Sequence, residues 1–324
     1  MERIKNIKEK LSGMANRYET CLAISGGGCK AMYGLGVGYK LRKWGIKFKE
    51  ISGVSAGAAM ILGILSETEE DCIEYIEELC RRNESNFAIT NLLKGERPFP
   101  HENIYRRTIR YGLDQNKILH SGVKVHILTV QAIPKETSML GVWNKARFIS
   151  QTYQAYMQDE ANREKGLAAN RVSEMMEKWN MKEVIYTNED LKNPSVIEQI
   201  ILNSSSVPPV VSFQKDDNVY YLDGGLTNNL LLEPFPKESK KIGVHYEDVT
   251  LVGKEKELLD STYLIRPSKK LPIKIFDYTN HVGIRDAYEL GKDDAERQKE
   301  QILQYCKRKL VEEFKTQYLG NDSR

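Results

Sequence analysis

Apolar and small residues in the first 65 positions follow the order expected of a parallel α/β sheet. The apolar run TCLAIS (20–25) ends at three consecutive glycines, and the small-residue-rich stretch KAMYGLGVGYKLRKWG follows it. A second apolar stretch, FKEIS, leads into GVSAGAAMILGIL (53–65), which predicts a buried helix. The pattern therefore predicts two strand–turn–helix units, and the glycines of the first helix let it lie close to the sheet.

Further strands and helices are predicted in the rest of the chain. VKVHILTVQAI (123–133) predicts a strong strand, and VIYT, VYYL, IGVHY and TYLIRP are shorter candidates from residue 184 onward. Residues 150–182 are polar and predict a helical insertion or lid. From Asp286 to about Tyr318 the spacing predicts a helix docked on its own domain. The apolar positions of that helix are Ile302, Cys306, Leu310 and Phe314.

Composition and charge argue against several classes of protein but do not identify one. The 324 residues are 40% hydrophobic, and 48 basic against 45 acidic residues leave a formal charge of +3, so we expect no nucleic-acid partner. The five cysteines lack metal-ligand spacing, and we expect free thiols and no metal site. With no secretory signal and no apolar run of the roughly 20 residues that cross a membrane, we expect a cytoplasmic protein, or one bound peripherally to a membrane.

The stretch GVSAG fits G-x-S-x-G, a pattern that places a serine on a tight strand-to-helix turn. Ser55 would then be exposed, while Gly53 and Gly57 relieve the clashes of the turn. The positive end of the helix dipole at the serine favours an ionised nucleophile and a developing oxyanion. Taken alone, the pattern is equally typical of a close-packed helix start.

The glycine loop SGGGCK runs from Ser25 to Lys30 and can direct several backbone amides toward one point. Such a loop suits an oxyanion or a phosphate. It fits the loose G-x-G-x-x-[GA] dinucleotide pattern, but Glu50 supplies poorly the acidic residue expected about 20 positions later. A Walker A loop is excluded because Lys30 follows Cys29 instead of glycine.

Two stretches later in the chain complete the candidate chemistry. YYLDGGLTNN delivers Asp223 from the end of an apolar strand into a glycine turn, although a surface turn favours the same residues. NSSSVPPVVSF (203–213) follows the helical run SVIEQIIL and ends it with prolines, as a helix-terminating loop also would.

In this order, the four stretches resemble the motifs of the patatin-like phospholipase family over about residues 20–235. The family carries a G-G-G-x-[RK]-G loop, a G-x-S-x-G elbow, an A-S-x-A-x-P segment and a D-G-[GA] turn. The matching residues are Gly26, Gly27, Gly28 and Lys30; Gly53, Ser55 and Gly57; Ser204 or Ser205 with Pro208; and Asp223, Gly224 and Gly225. Ala31 replaces the closing glycine of the loop, and NNLLLEPF lacks a proline that often follows the asparagines. These departures affect the expected shape of the substrate pocket more than its reactivity.

The fold implied by the resemblance is a three-layer α/β sandwich with a mostly parallel central sheet and helices on both faces. We assign residues 1–19 to an N-terminal amphipathic helix and 20–250 to the catalytic domain, with 150–182 as its insertion or lid. Residues 251–324 are expected to form a strand and helices packed on the same domain.

The chemistry implied by the resemblance is a Ser-Asp dyad that needs no cofactor and no metal. Asp223 would accept the proton of Ser55 as its Oγ attacks an ester carbonyl. The amides expected to hold the oxyanion are those of Gly26, Gly27, Gly28 and Ala56.

The substrate class implied by the resemblance is the acyl ester of a membrane lipid, as in phospholipase A or lysophospholipase enzymes. The implied partner is therefore membrane phospholipid or another acyl-ester lipid, met at the interface through apolar and basic residues. Our candidates for that contact are residues 150–182 and the N-terminal helix. Some bacterial relatives are regulated effectors that degrade membranes, and this chain is compatible with that role. The sequence predicts no oligomeric state.

Two other functions remain open from the sequence alone. An α/β-hydrolase triad needs a histidine after the acid, and His245 or His281 follows Asp223 in that order. A non-catalytic module would instead use the glycine loop to bind a nucleotide or a lipid headgroup. Inactivity of a histidine variant would indicate the triad, and nucleotide-dependent stabilisation would indicate the module.

Overall fold

The structure is a computed structural model of the 324-residue chain. It describes residues 18–89, 91, 95, 97–133, 142–165, 167, 169–246 and 254–307. Most of the predicted N-terminal helix (1–19) lies outside the described residues, and the first strand begins at Glu19. Leu310 and Phe314 of the predicted C-terminal helix also lie outside them.

Within the described residues, eight strands form one mixed sheet. They are β1 Glu19–Ile24, β2 Lys47–Val54, β3 Lys124–Ala132, β4 Met181–Tyr186, β5 Gln214–Asp216, β6 Val219–Asp223, β7 Lys241–Val244 and β8 Thr262–Ile265. The order is β5-β6-β3-β2-β1-β7-β8, and β4 also pairs with β3. The pairs from β3 through β2, β1 and β7 to β8 are parallel, whereas β4, β5 and β6 pair antiparallel. The expected mostly parallel sheet is therefore confirmed.

Helices connect and cover these strands. In the described part of the chain they are α1 Ala31–Lys43, α2 Ala56–Ser66, α3 Glu69–Arg81, α4 His101–Gly112, α5 Gln115–His120, α6 Val142–Glu164, α7 Arg171–Lys178, α8 Pro194–Ser204, α9 Lys254–Asp260, α10 His281–Arg297 and α11 Lys299–Cys306. The predicted order of β1, α1, β2 and α2 is reproduced, because apolar periodicity and glycine turns coincide in that region.

The sheet is buried on both faces, as its alternating side chains show. Leu22 and Ile24 of β1 face the main core, which includes the buried sides of α1 and α2. Cys21 and Ala23 point to the opposite face, where they pack with Phe235 in a separate cluster. Burial of both faces explains why β1 reads as a continuous apolar run.

The segment predicted as an insertion, 150–182, contributes to helices α6 and α7 and reaches into β4. Phe148 and Met175 from the two helices pack with Val130 of β3 in a second hydrophobic cluster. The helical pair is therefore docked on the sheet, and β4 extends the sheet along the edge of β3.

The predicted C-terminal helix begins earlier than expected and is divided into two helices. Instead of one helix from Asp286, α10 runs from His281 to Arg297 and α11 begins at Lys299, with Gln298 between them. The Gln298 amide donates to the Ala295 carbonyl, a tight turn that closes the first helix. Ile302 is buried in the main core as its spacing predicted. None of the helices within the described ranges is long and apolar enough to cross a membrane.

Candidate active site

The C-terminal ends of β2 and β6 lie next to each other along the same edge of β3. Val54, the last residue of β2, pairs with Leu128, and Asp223, the last residue of β6, pairs with the adjacent Thr129. Strand β4 pairs with the same part of β3, so it must occupy the opposite edge. Ser55, which follows Val54, is thereby brought beside Asp223, although 168 positions separate them in the sequence (223 − 55).

Ser55 lies on a strained turn between β2 and α2. Its backbone has φ 54° and ψ −130°, an arrangement that residues with a side chain seldom adopt. A Cβ added at Gly57 would lie 2.3 Å from the carbonyl oxygen of Ile24, and one at Gly53 would lie 2.6 Å from that of Gly57. Only glycine fits at these two positions, so the small residues of GVSAG serve the turn.

The Asp223 carboxylate lies in a protected site with two hydrogen-bond donors. The Ser55 hydroxyl donates to it, and the Gly225 amide donates to its Oδ1 at 2.7 Å. Burial raises the pKa of Asp223 to about 6, and these two hydrogen bonds offset only part of that effect. The carboxylate is therefore a stronger base than an ordinary aspartate.

The side-chain hydrogen bonds shown for Ser55 and Asp223 involve serine and glycine, not histidine. All five histidines lie within the described residues, and the rings of His101, His120 and His126 hydrogen-bond to Phe276, Asn116 and Glu50. His245 is buried just after β7, and His281 begins α10. The Asp223 carboxylate accepts from Ser55 and Gly225, which favours the dyad over the triad that the order of these residues allowed.

The glycine loop lies directly against Ser55. A Cβ added at Gly26 would be 2.9 Å from the Cβ of Ser55. The Gly26 amide donates to Asn229 Oδ1 at 3.1 Å, so it is not available to an oxyanion. The other three amides predicted to hold the oxyanion have no acceptor among the described residues. They belong to Gly27, Gly28 and Ala56.

The remaining motif residues hold the two loops in place. Gly224 packs against β3, and a Cβ added there would lie 2.4 Å from the Leu128 carbonyl oxygen. Gly225 supplies the amide that binds the Asp223 carboxylate. Lys30 lies at the start of α1, where its amide donates to the Gly27 carbonyl at 3.0 Å.

Of the two serines left open by the sequence, Ser204 is the one that reaches the site. Its hydroxyl oxygen accepts a hydrogen bond from the Ser55 amide at 2.9 Å and donates to the Leu128 carbonyl at 2.6 Å. Ser205 contacts the Tyr105 hydroxyl instead, at 3.1 Å. Pro208 lies in the loop that follows α8.

Asn229 is a residue of the site that the sequence reasoning missed. Besides accepting from the Gly26 amide, its Nδ2 donates to the Gly26 carbonyl at 3.4 Å. A Cβ added at Gly225 would lie 2.9 Å from Asn229 Oδ1, so this side chain contacts both glycine turns. The available signal was the pair of asparagines that follows D-G-G.

A family model for patatin-like phospholipase matches residues 22–236. The match covers well over half of the 324 residues, so the chain belongs to the patatin-like phospholipase family, whose members act on lipid acyl esters. The resemblance drawn from the sequence motifs is confirmed. No protein of curated function matches the chain.

Two solved structures are similar to the chain at low sequence identity. VipD from Legionella pneumophila has 14% identity and a TM-score of 0.41, over 89% of this chain and 67% of VipD. ExoU from the type III secretion system of Pseudomonas aeruginosa, in complex with SpcU, has 15% identity and a TM-score of 0.31. That match covers 87% of this chain and 53% of the other, so the chain spans about half of the ExoU structure.

We expect Asp223→Asn to raise the free energy of unfolding near neutral pH. The pKa of the folded carboxyl is about 6 against an ordinary 3.8, so folding disfavours its charged form. The gain should be small near about pH 4, grow to about pH 6 and then stay constant, on the order of 1–3 kcal/mol. Urea unfolding across this pH range measures it.

The matched control for this experiment is Asp216→Asn, which changes an exposed carboxylate on β5. Its stability relative to the wild type should not follow the same pH profile. If the gain in Asp223→Asn does not vary with pH, the carboxylate of Asp223 does not have the raised pKa.

Proposed function

We propose that this protein is a serine lipid acyl hydrolase that uses Ser55 as nucleophile and Asp223 as general base. The observation that carries the proposal is the pairing of β2 and β6 with adjacent residues of β3, which brings the Ser55 hydroxyl beside the Asp223 carboxylate, whose pKa burial raises to about 6. A nucleophile on a strained turn, in hydrogen-bonding contact with its base, is the arrangement that nucleophilic catalysis requires.

The first step forms an acyl-enzyme. The Ser55 Oγ attacks the ester carbonyl carbon while its proton passes to the Asp223 carboxylate. The tetrahedral intermediate then collapses, the bond to the alcohol breaks, and the leaving oxygen takes the proton from Asp223. In the second step water attacks the acyl carbonyl carbon while Asp223 accepts its proton. The bond to the Ser55 Oγ then breaks, Ser55 takes the proton back from Asp223, and the fatty acid is released.

We propose that the amides of Gly27, Gly28 and Ala56 donate hydrogen bonds to the oxyanion of the intermediate. This revises the expectation for Gly26, whose amide is engaged by Asn229. Ala56 is the first residue of α2, so the positive end of the helix dipole adds to the stabilisation. Loss of one such donor in other hydrolases costs about 3 kcal/mol of transition-state stabilisation.

The substrate class that we propose is the carboxylic ester of a membrane phospholipid or lysophospholipid, as in phospholipase A enzymes. Family membership supports a lipid ester as substrate. Such a protein would act at the membrane surface, bound peripherally from the cytoplasm. Activity as a regulated membrane-degrading effector is compatible with the same chemistry.

We expect wild-type protein to release fatty acids and lysolipids from mixed phospholipid vesicles, as measured by mass spectrometry. Ser55→Ala and Asp223→Asn should each lower the release roughly a thousandfold or more, because either change removes half of the dyad. His245→Ala and His281→Ala are the matched controls and should keep most of the activity.

Two results would contradict the proposal in different ways. A folded histidine variant as inactive as Ser55→Ala would indicate a triad in place of the dyad. An absence of Ser55-dependent release from all lipids tested would contradict lipid hydrolysis, and stabilisation by nucleotide in a melting assay would then favour a binding module.

We also expect Ser204→Ala to lower the hydrolysis rate much more than Ser205→Ala does. Ser204→Ala removes the partner of the Ser55 amide and of the Leu128 carbonyl, whereas Ser205→Ala removes that of the Tyr105 hydroxyl. Each lost hydrogen bond costs about 1–3 kcal/mol in stability. Only Ser204 holds the Ser55 amide, so only its loss should also displace the nucleophile. Rates and unfolding free energies of both variants make the comparison, and equal losses of rate would contradict a positioning role for Ser204.

A further inference from the structure

A cavity of about 990 Å³ lies beside the glycine loop, outside the Ser55–Asp223 contact. Its walls are Lys30, Asn86, Tyr246 and much of the segment 266–279, which follows β8. The volume is at the upper end of the range typical of ligand sites. Neither Ser55 nor Asp223 lines this cavity.

The charge around the cavity is strongly positive. Its charged lining residues are Lys30, Arg266, Lys269, Lys270, Lys274 and Asp277. Five cations against one carboxylate contrast with the nearly balanced chain, whose formal charge is only +3. The Asp277 carboxylate already accepts hydrogen bonds from Asn86 and Thr279. The cavity therefore has the electrostatics of an anion-binding site.

Apolar side chains are exposed at the same place. Ile275 and Phe276 on the cavity wall are each 38% exposed, and Phe87 is 52% exposed. Phe87 adjoins the cavity because Asn86 lines it and donates to Asp277 at 3.1 Å. Exposed apolar groups are unfavourable in water but are buried when a surface inserts into a bilayer interface.

The cavity wall and the nucleophile are joined by consecutive residues of the glycine loop. The Cys29 amide donates to the Ile275 carbonyl at 2.9 Å, and a Cβ added at Gly27 would lie 2.8 Å from the Tyr246 ring. The same loop touches Ser55 through Gly26. A ligand in the cavity would therefore lie against one side of the loop that borders the reacting serine.

We propose that this cavity binds the phosphate group of an anionic phospholipid headgroup and that the surrounding surface, 266–279 with Phe87, contacts the bilayer. The proposal rests on the proposed lipid hydrolysis, whose membrane contact it locates. It differs from our sequence-based candidates, residues 150–182 and the N-terminal helix. Basic side chains meet the headgroup phosphates, and the apolar ones enter the interface beside them.

The test is vesicle binding by protein that carries Ser55→Ala, so that binding is measured whether or not the protein hydrolyses lipid. Sedimentation with vesicles of equal parts phosphatidylcholine and phosphatidylglycerol should show tighter binding than with phosphatidylcholine alone. Replacing Lys269, Lys270 and Lys274 together by Gln should weaken binding to the anionic vesicles on the order of a hundredfold. All three lysines are exposed, and a melting curve checks that the variant is folded.

The matched control replaces three exposed lysines by Gln in and just after residues 150–182, the other candidate for membrane contact. They are Lys165, Lys182 and Lys192, and their replacement should leave vesicle binding unchanged. Phe87→Ser with Phe276→Ser should also weaken vesicle binding, while the binding of soluble glycerol 3-phosphate should be weak in every variant.

Three results would overturn the proposal. The first is vesicle binding that does not depend on the cavity lysines, and the second is a larger loss in the control triple. The third is lysine-dependent binding of glycerol 3-phosphate without binding to anionic vesicles, which would assign the cavity to a soluble phosphate compound. None of these depends on hydrolysis, so failure here is distinct from failure of the proposed activity.

Discussion

The pairing of β3 with two strand ends is the constraint on which the candidate site depends. Leu128 holds the end of β2 and Thr129 holds the end of β6, so Ser55 and Asp223 meet although they come from distant parts of the chain. Leu128 also accepts from Ser204, which in turn accepts from the Ser55 amide. Backbone hydrogen bonds of a buried strand, together with the buried Ser204 hydroxyl, thus fix the relative position of nucleophile and base.

This arrangement lowers the stability of the folded protein and raises the reactivity of Ser55 and Asp223. Ser55 is held at a positive φ, and burial raises the pKa of Asp223, so both residues are less stable here than they would be in a relaxed loop. The surrounding sheet and its two apolar faces supply the stability that allows such strain. The same buried surroundings make the carboxylate basic enough to accept a proton from an alcohol, which an ordinary aspartate in water does poorly.

Much of this could be predicted from the sequence, and the rest depends on contacts between distant residues. Local apolar periodicity and glycine turns predicted β1, α1, β2 and α2, and the D-G-G turn indicated Asp223. No local pattern specifies which strand ends meet on β3, that Asn229 occupies the Gly26 amide, or that Ser204 and not Ser205 faces the site. The interruption at Gln298 was also missed, because the apolar spacing continues across it.

The most direct test of the account is the labelling of Ser55 by a fluorophosphonate as a function of pH. We expect the adduct on the Ser55 peptide, with a labelling rate that is half-maximal near about pH 6, where the Asp223 carboxylate loses its proton. The rate should be low and independent of pH in Asp223→Asn. Labelling of Ser55 at the wild-type rate in that variant, or an adduct elsewhere on the chain, would contradict activation of Ser55 by Asp223.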